Sequence, residues 1–196
     1  MDNIFTVFNT AVAGAISIIL VWLKYYISKN KCDPIKAQNN VDENVMTAIE
    51  FLQKELGADR VIIQEFHNGG KYFSGSCQQK LSITYEICKK GVSSVFRRFQ
   101  NVRVSALSNI LKRSMTDQIL VDLDKEKCAY SYDLQTHGTN FAAFTILKTL
   151  TNKNIGLLSI HYVNRSKTKL TEKEKDLINR QRRIISGYLV SHKITI

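Results

Sequence analysis

The chain has 196 residues, 44% of them apolar, and a formal net charge of +11. That composition excludes a globally disordered chain and leaves room for one domain with a small appendage. The positive charge favours a polyanionic neighbour, either nucleic acid or anionic lipid.

The N-terminus decides between those two. No charged residue lies between Asn3 and Leu23, and the stretch AVAGAISIILVWL is strongly apolar. A helix needs about 20 such residues to cross a bilayer. Trp22, Tyr25 and Tyr26 close the stretch, where amphipathic rings favour the membrane interface. The opening Met1-Asp2-Asn3 lacks the positive n-region of a signal peptide. Residues 1–26 are therefore expected to form an uncleaved transmembrane helix. Lys24, Lys29, Lys31 and Lys36 follow it and no cation precedes it, which places the C-terminal body in the cytoplasm by the positive-inside rule. Thr10 and Gly14 are small residues four apart, and Asn9 adds a hydrogen-bonding group, so the helix is expected to self-associate through Asn9, Thr10 and Gly14. Cys32, Cys77, Cys88 and Cys128 have no framework spacing and read as reduced thiols.

Residues 27–40 are polar, hold the only proline, Pro34, and read as a juxtamembrane linker. The body, 41–196, begins with Val41, Val45, Ile49, Leu52 and Leu56 at helical spacing before Gly57, the pattern of an amphipathic helix with a glycine stop. The stripe suits packing on a sheet, and its heptad-like spacing also suits self-association. Arg60 to Phe66 reads as a strand, and KLSITYEICKKG as a second. SALSNILKRSM has helical spacing, and QILVDL is a short strand. NFAAFTILKTL and IGLLSIHYV read as a hairpin joined by TNKN. The last helix opens with Thr171 and Glu174 at capping-box spacing, and Leu177, Ile178, Ile184, Ile185, Tyr188 and Leu189 make its apolar face. This order implies an α+β domain with an antiparallel sheet flanked by helices.

The first strand carries the most suggestive chemistry. Alternation puts Glu65 and His67 on one face, next to the turn residue Asn68 and the pair Gly69-Gly70. A carboxylate beside the imidazole would fix its tautomer. A ligand-facing rim is expected from Glu65, His67, Asn68, Lys80, Tyr85 and Glu86. The alternative is a polar turn in which His67 and Asn68 bond loop backbone. His67, His137, His161 and His192 show no metal-ligand spacing with the cysteines, and Asp122 and Asp124 read as a solvated loop. No P-loop, GxGxxG or nucleophile motif occurs. Arg97, Arg98 and Arg103 interleave with Phe96 and Phe99, a mix suited to lipid headgroups beside a membrane anchor. No metal, cofactor or catalytic residue is expected, and the chain is not expected to be an enzyme.

The element order resembles the GAF/PAS-like sensory domains, and NIGLLSIHYVNRSKTKLTEKEKDLINRQRRIIS resembles the GAF ending, over about Val41 to Lys193. The resemblance implies a small-molecule pocket over the sheet and pairing through terminal helices. No NKxnFDE-type cyclic-nucleotide signature and no chromophore-attachment cysteine context is present. The stretch EFHNGG…FSG…KLSITYE also resembles GAF-type proteins of phage genomes. In architecture, and in the strand holding Gly156 and Tyr162, the chain is similar to T-even phage holins, although here the basic residues follow the membrane helix. The expected function is a membrane-tethered GAF-like ligand-sensing module, phage-encoded and non-enzymatic. The alternative is a holin that forms membrane lesions for host lysis, with the body as regulatory domain. A nucleic-acid-binding protein held at the membrane is the weaker third reading. Membrane lipid, a second copy of the chain, and a small-molecule or protein regulator are the expected partners.

Overall fold

The computed structural model describes residues 2–29, 34–72 and 77–191. The chain divides into two units, Met1–Ala37 and Gln38–Ile196.

The first unit is built on helix α1 (Asp2–Lys29). Its described large apolar side chains are exposed, among them Val12, Ile16, Ile18, Ile19, Leu20, Val21, Trp22 and Leu23. Trp22 and Tyr26 stack with ring centroids 5.5 Å apart. Among the described residues, no helix is long and apolar enough to cross a membrane. The transmembrane span expected over residues 1–26 is therefore not found; an exposed apolar helix stands in its place. The side chains of Asn9 and Thr10 lie outside the described ones. Gly14 has open space around it. Helix α2 (Pro34–Glu55) starts inside the segment expected to be a linker, because proline is tolerated in the first turn, where its missing N–H has no partner to lose.

The second unit is a six-stranded antiparallel sheet, β1 (Arg60–Lys71), β2 (Cys77–Cys88), β3 (Val102–Arg103), β4 (Ile119–Asp122), β5 (Thr139–Lys148) and β6 (Asn154–Val163), in the order β3-β2-β1-β6-β5-β4. Helices α2 and α5 (Glu172–Ser191) cover one face. Val45, Ile49, Leu52 and Leu56 pack there with Ile178, Ile185 and Leu189 on Val61, Ile63, Leu158 and Ile160. The stripe on α2 is thus taken up by its own sheet, and a buried leucine such as Leu52 contributes about 1.5–3 kcal/mol there. Of the apolar face expected on α5, Ile184 is exposed. The other face is covered by α3 (Ser108–Ser114), α4 (Ala129–Gln135) and the chain between β2 and β3. Val95, Phe99, Leu107, Ile110, Tyr130 and Leu134 close over Ile62, Leu81, Ile83, Phe144 and Leu157.

Two irregularities place the site. Ile63 pairs with Tyr85 but Gln64 pairs with Ile83, which leaves Thr84 as an extra residue in β2. A bulge of this kind turns the rest of a strand over. Leu81 and Ile83 accordingly face α3 and α4, while Tyr85 and Ile87 face α2 and α5. The second irregularity falls at Gly69-Gly70, between the pairs Asn68–Gln79 and Lys71–Cys77. Gly70 has φ +99°. β1 therefore does not stop at His67; it runs on to Lys71 because a glycine bulge absorbs the turn.

The helix ends follow the sequence closely. Gly57 (φ +57°) ends α2 in the left-handed conformation. At α5, Glu174 Oε2 accepts the Thr171 N–H at 2.7 Å, and Thr171 Oγ1 accepts the Glu174 N–H at 3.3 Å. Thr171→Ala is expected to lower stability by about 1 kcal/mol, read as a reduced urea midpoint with an unchanged slope.

Candidate functional site

The expected rim divides between the two faces of the sheet. β1 keeps its alternation, so Glu65 and His67 share the α2/α5 face with Val61 and Ile63. His67 stands opposite Lys80, whose side-chain stem crosses Gly69, where a Cβ would come within 2.4 Å of Lys80 Cε. His67 Nε2 lies 2.8 Å from Ser82 Oγ, which also accepts the Asn101 N–H at 2.8 Å. The imidazole is held by that hydroxyl and not by Glu65: among the described residues no ion pair joins His67 to a carboxylate. Asn68 Oδ1 accepts from Gln79 Nε2 at 3.0 Å across the hairpin. Residues 73–76, at its tip, lie outside the described ones.

Tyr85 reaches α2, donating from its hydroxyl to Asp42 Oδ1 at 2.6 Å, and Gln38 Nε2 donates to the same oxygen at 2.6 Å. Burial, and then the Asp42 carboxylate, push the phenol pKa up. Glu86 points the other way, because the bulge at Thr84 fixes its pairing with Ile62. The six residues are thus not one rim. Phe99 is also removed from the basic-aromatic surface: it is buried, and Arg98 pairs with Asp133 at 2.8 Å.

On the α3/α4 face Glu86 joins a polar cluster inside the core. Arg60 is fully buried. Its guanidinium donates to Ser93 O at 2.6 Å and Thr139 Oγ1 at 3.1 Å, and lies 3.3 Å from His161 Nδ1 and 3.5 Å from Glu86 Oε1. Glu86 in turn accepts the N–H groups of Val95 (2.8 Å) and Phe96 (3.0 Å), and the Ser94 hydroxyl. Burial, and then the Arg60 charge, hold the His161 pKa well below its ordinary value. The ring is therefore neutral near pH 7. Since arginine can only donate, Nδ1 is the acceptor and the proton sits on Nε2.

That Nε2–H has no partner among the described residues; neither has Gln64 Nε2, and Ser159 Oγ, beside the Tyr130 hydroxyl, makes no hydrogen bond of good geometry. Gln64 Oε1 is taken by the Tyr130 hydroxyl at 2.7 Å. Phe99, Tyr130, Phe144 and His161 form a chain of edge-to-face rings with centroids 5.0–6.3 Å apart. Each unmade hydrogen bond costs about 1–3 kcal/mol. Three of them on one face of a sheet make a surface suited to the acceptor atoms of a small uncharged molecule or of ordered water.

The sequence held a signal for this cluster. Ser159 and His161 are polar at period two within an otherwise apolar strand, and Gln64 interrupts VIIQEF. Thr139 and Arg60 gave none, since only the pairing of β5 and of β1 with β6 brings them to His161.

His161 also sets a pH dependence. Its folded pKa lies below its unfolded value of about 6.5, so the unfolded chain binds the extra proton as the pH falls. Stability is full above about pH 6.5 and is lost below it, by up to about 1.4 kcal/mol per pH unit. Urea midpoints at pH 6.5 and 5.0 should fall further for the wild type than for His161→Gln.

No protein-family model matches the chain, and no curated relative matches it. Solved structures do. A far-red cyanobacteriochrome photoreceptor is 12% identical, with 90% of this chain and 98% of that one covered and a TM-score of 0.62. A GAF domain from Synechocystis sp., in its photoproduct state, is 12% identical over 79% and 96%, with a TM-score of 0.60. The fold is that of a GAF domain. The GAF domain/HD domain protein of Geobacter sulfurreducens agrees, at 13% identity over 78% and 93% and a TM-score of 0.57. The α+β reading of the body, with its antiparallel sheet, and the likeness to GAF sensory domains are therefore right at the level of fold. None of these three GAF structures is a phage protein or a holin, and the holin alternative finds no support in them.

Proposed function

We propose that the protein is a non-enzymatic, membrane-tethered GAF-like module that senses a small molecule. The cluster around Gln64, Ser159 and His161 reads the ligand, and α1 is the tether. The observation that carries the sensing half is the set of three buried polar groups without partners, on the sheet face walled by Phe99, Tyr130 and Phe144. A purely structural core would lose stability by keeping them, and hydrophobic replacements of the same shape would serve it better. The exposed apolar side chains of α1 support the tether, as does the positive charge of the chain, which suits an anionic leaflet.

Native mass spectrometry of the detergent-solubilised full chain tests the sensing half. The wild type should carry a small molecule that Gln64→Leu and Ser159→Ala lose while still melting cooperatively. A wild type that carries nothing, and whose melting temperature no metabolite raises, defeats it. Ile18→Arg tests the tether: the wild type should pellet with membranes through a carbonate wash and the variant should not. A wild type that washes off removes the tether and leaves the sensing module.

A further inference from the structure

The C-terminal half of α5 and the β5–β6 hairpin enclose a groove of about 630 Å³. It lies on the opposite side of the sheet from the His161 cluster, and three cations, Lys148, Arg182 and Arg183, line it. No carboxylate among the described residues lines it. Among the described residues none forms an ion pair with any of the three. Lys148 Nζ donates to Met115 O at 3.3 Å, and Arg182 Nη1 to Thr145 Oγ1 at 3.4 Å, both neutral acceptors at long range. Burial, and then the Arg183 charge, lower the Arg182 pKa, while Asp117 exerts a weaker pull the other way. Among the described residues the positive charge is thus gathered without an ion-pair partner, and Asp117 offsets it only in part.

A second observation points into the same groove. Ser186 is 5% exposed and lines the groove, and among the described residues its Oγ has no hydrogen-bond partner. A helical serine ordinarily satisfies itself on the carbonyl one turn back; this one does not. Gly187 beside it gives up helix propensity worth about 1 kcal/mol, and a Cβ there would meet nothing within 4 Å. The glycine keeps that wall bare, and Leu150 and Val190 supply apolar surface next to it.

We propose that this groove binds a small molecule bearing a phosphoryl group, held by Arg182 and Arg183 and by the Ser186 hydroxyl, with its apolar part against Leu150 and Val190. Two guanidiniums and an ammonium match a dianion better than a single carboxylate, and the planar guanidinium suits phosphate oxygens in pairs. The volume is that of a small-molecule site. The chemistry is shared by soluble phosphate esters and by phospholipid headgroups.

Calorimetric titration of the full chain in uncharged detergent, at constant ionic strength, separates the two sources. Inorganic phosphate is one probe and dihexanoyl phosphatidate the other. Saturation by inorganic phosphate supports the site and assigns it to soluble phosphates. Saturation by the phosphatidate alone supports it and assigns it to a lipid headgroup. Arg183→Gln, on an exposed residue, and Arg182→Gln should each weaken binding about tenfold or more. Ser186→Ala should weaken it while leaving the melting temperature in place, because it deletes an unpaired hydroxyl. Arg180→Gln, the same charge change outside the groove, should leave binding unaltered. Failure of both probes to saturate, or an equal loss in Arg180→Gln, overturns the proposal. Both results are independent of the His161 cluster, so they leave the sensing reading untouched.

Discussion

Gly156→Ala is expected to destabilise the protein by about 3 kcal/mol, the upper end of what overpacking costs. Gly156 sits in β6 between Glu65 of β1 and Leu147 of β5. A Cβ there would come within 2.3 Å of the Gln64 carbonyl oxygen and 3.4 Å of Glu65 Cα. Both are main-chain atoms of the neighbouring central strand. No rotamer change relieves the contact; β1 and β6 must separate, and their ladder hydrogen bonds stretch with them. Gly69→Ala is the control. Its Cβ would come equally close to Lys80, but only to a flexible stem that can swing into solvent. Equilibrium urea unfolding should show a large fall in midpoint for Gly156→Ala and a small one for Gly69→Ala. A Gly156→Ala midpoint at the wild-type value would mean that the two central strands do not meet as described.

Glu86→Ala is expected to cost about 3–5 kcal/mol, the range for breaking a buried ion pair from one side. The Arg60 side chain is 0% exposed and that of Glu86 is 5% exposed. Their closest approach, 3.5 Å, is long for a charged hydrogen bond. The effect therefore comes from the surroundings: without Glu86 the guanidinium keeps only neutral partners in Ser93, Thr139 and His161. The Val95 N–H loses its acceptor as well, while the Phe96 N–H keeps only Ser94 Oγ, at 3.2 Å. Arg60→Met combined with Glu86→Leu should recover much of the loss, since removing both charges also removes the cost of keeping them from water. The double-mutant cycle measures this. Additive single and double effects would show that the two side chains do not act as a pair.

How much of this was legible in the sequence depended on range. The stripe Val45, Ile49, Leu52 on α2 and the Thr171–Glu174 box on α5 are local patterns, and both stand as read. Helix α4 was missed because its N-cap is Cys128, whose Sγ accepts the Ser131 N–H at 3.4 Å, a residue that carries no capping signal. The site was misread for a different reason. The expected rim grouped the neighbours Tyr85 and Glu86 with Lys80, although adjacent residues of a strand point to opposite faces and only one of the two can share the face of Lys80. One extra residue at Thr84 sent Tyr85 to Asp42 and Glu86 to Arg60, on opposite sides of the sheet. A bulge has no reliable residue signature, so period-two counting fails silently past it. The Arg60–His161 contact spans a sequence separation of 101 and exists only once the sheet has closed.

The place of β6 beside β1 also sets a timetable. On the ribosome the β1–β2 hairpin is complete long before Asn154–Val163 is made. At about 5–20 residues per second, the edge of β1 that β6 will occupy stays open for on the order of ten seconds. Val61-Ile62-Ile63 is then an apolar strand edge without its partner, the kind of template on which chains aggregate. Arg60, Gln64 and Glu65 bracket it with charge and polarity, and such flanking groups oppose pairing with another chain. In that interval Arg60 and Gln64 protect the nascent chain, before either has a place in the buried cluster.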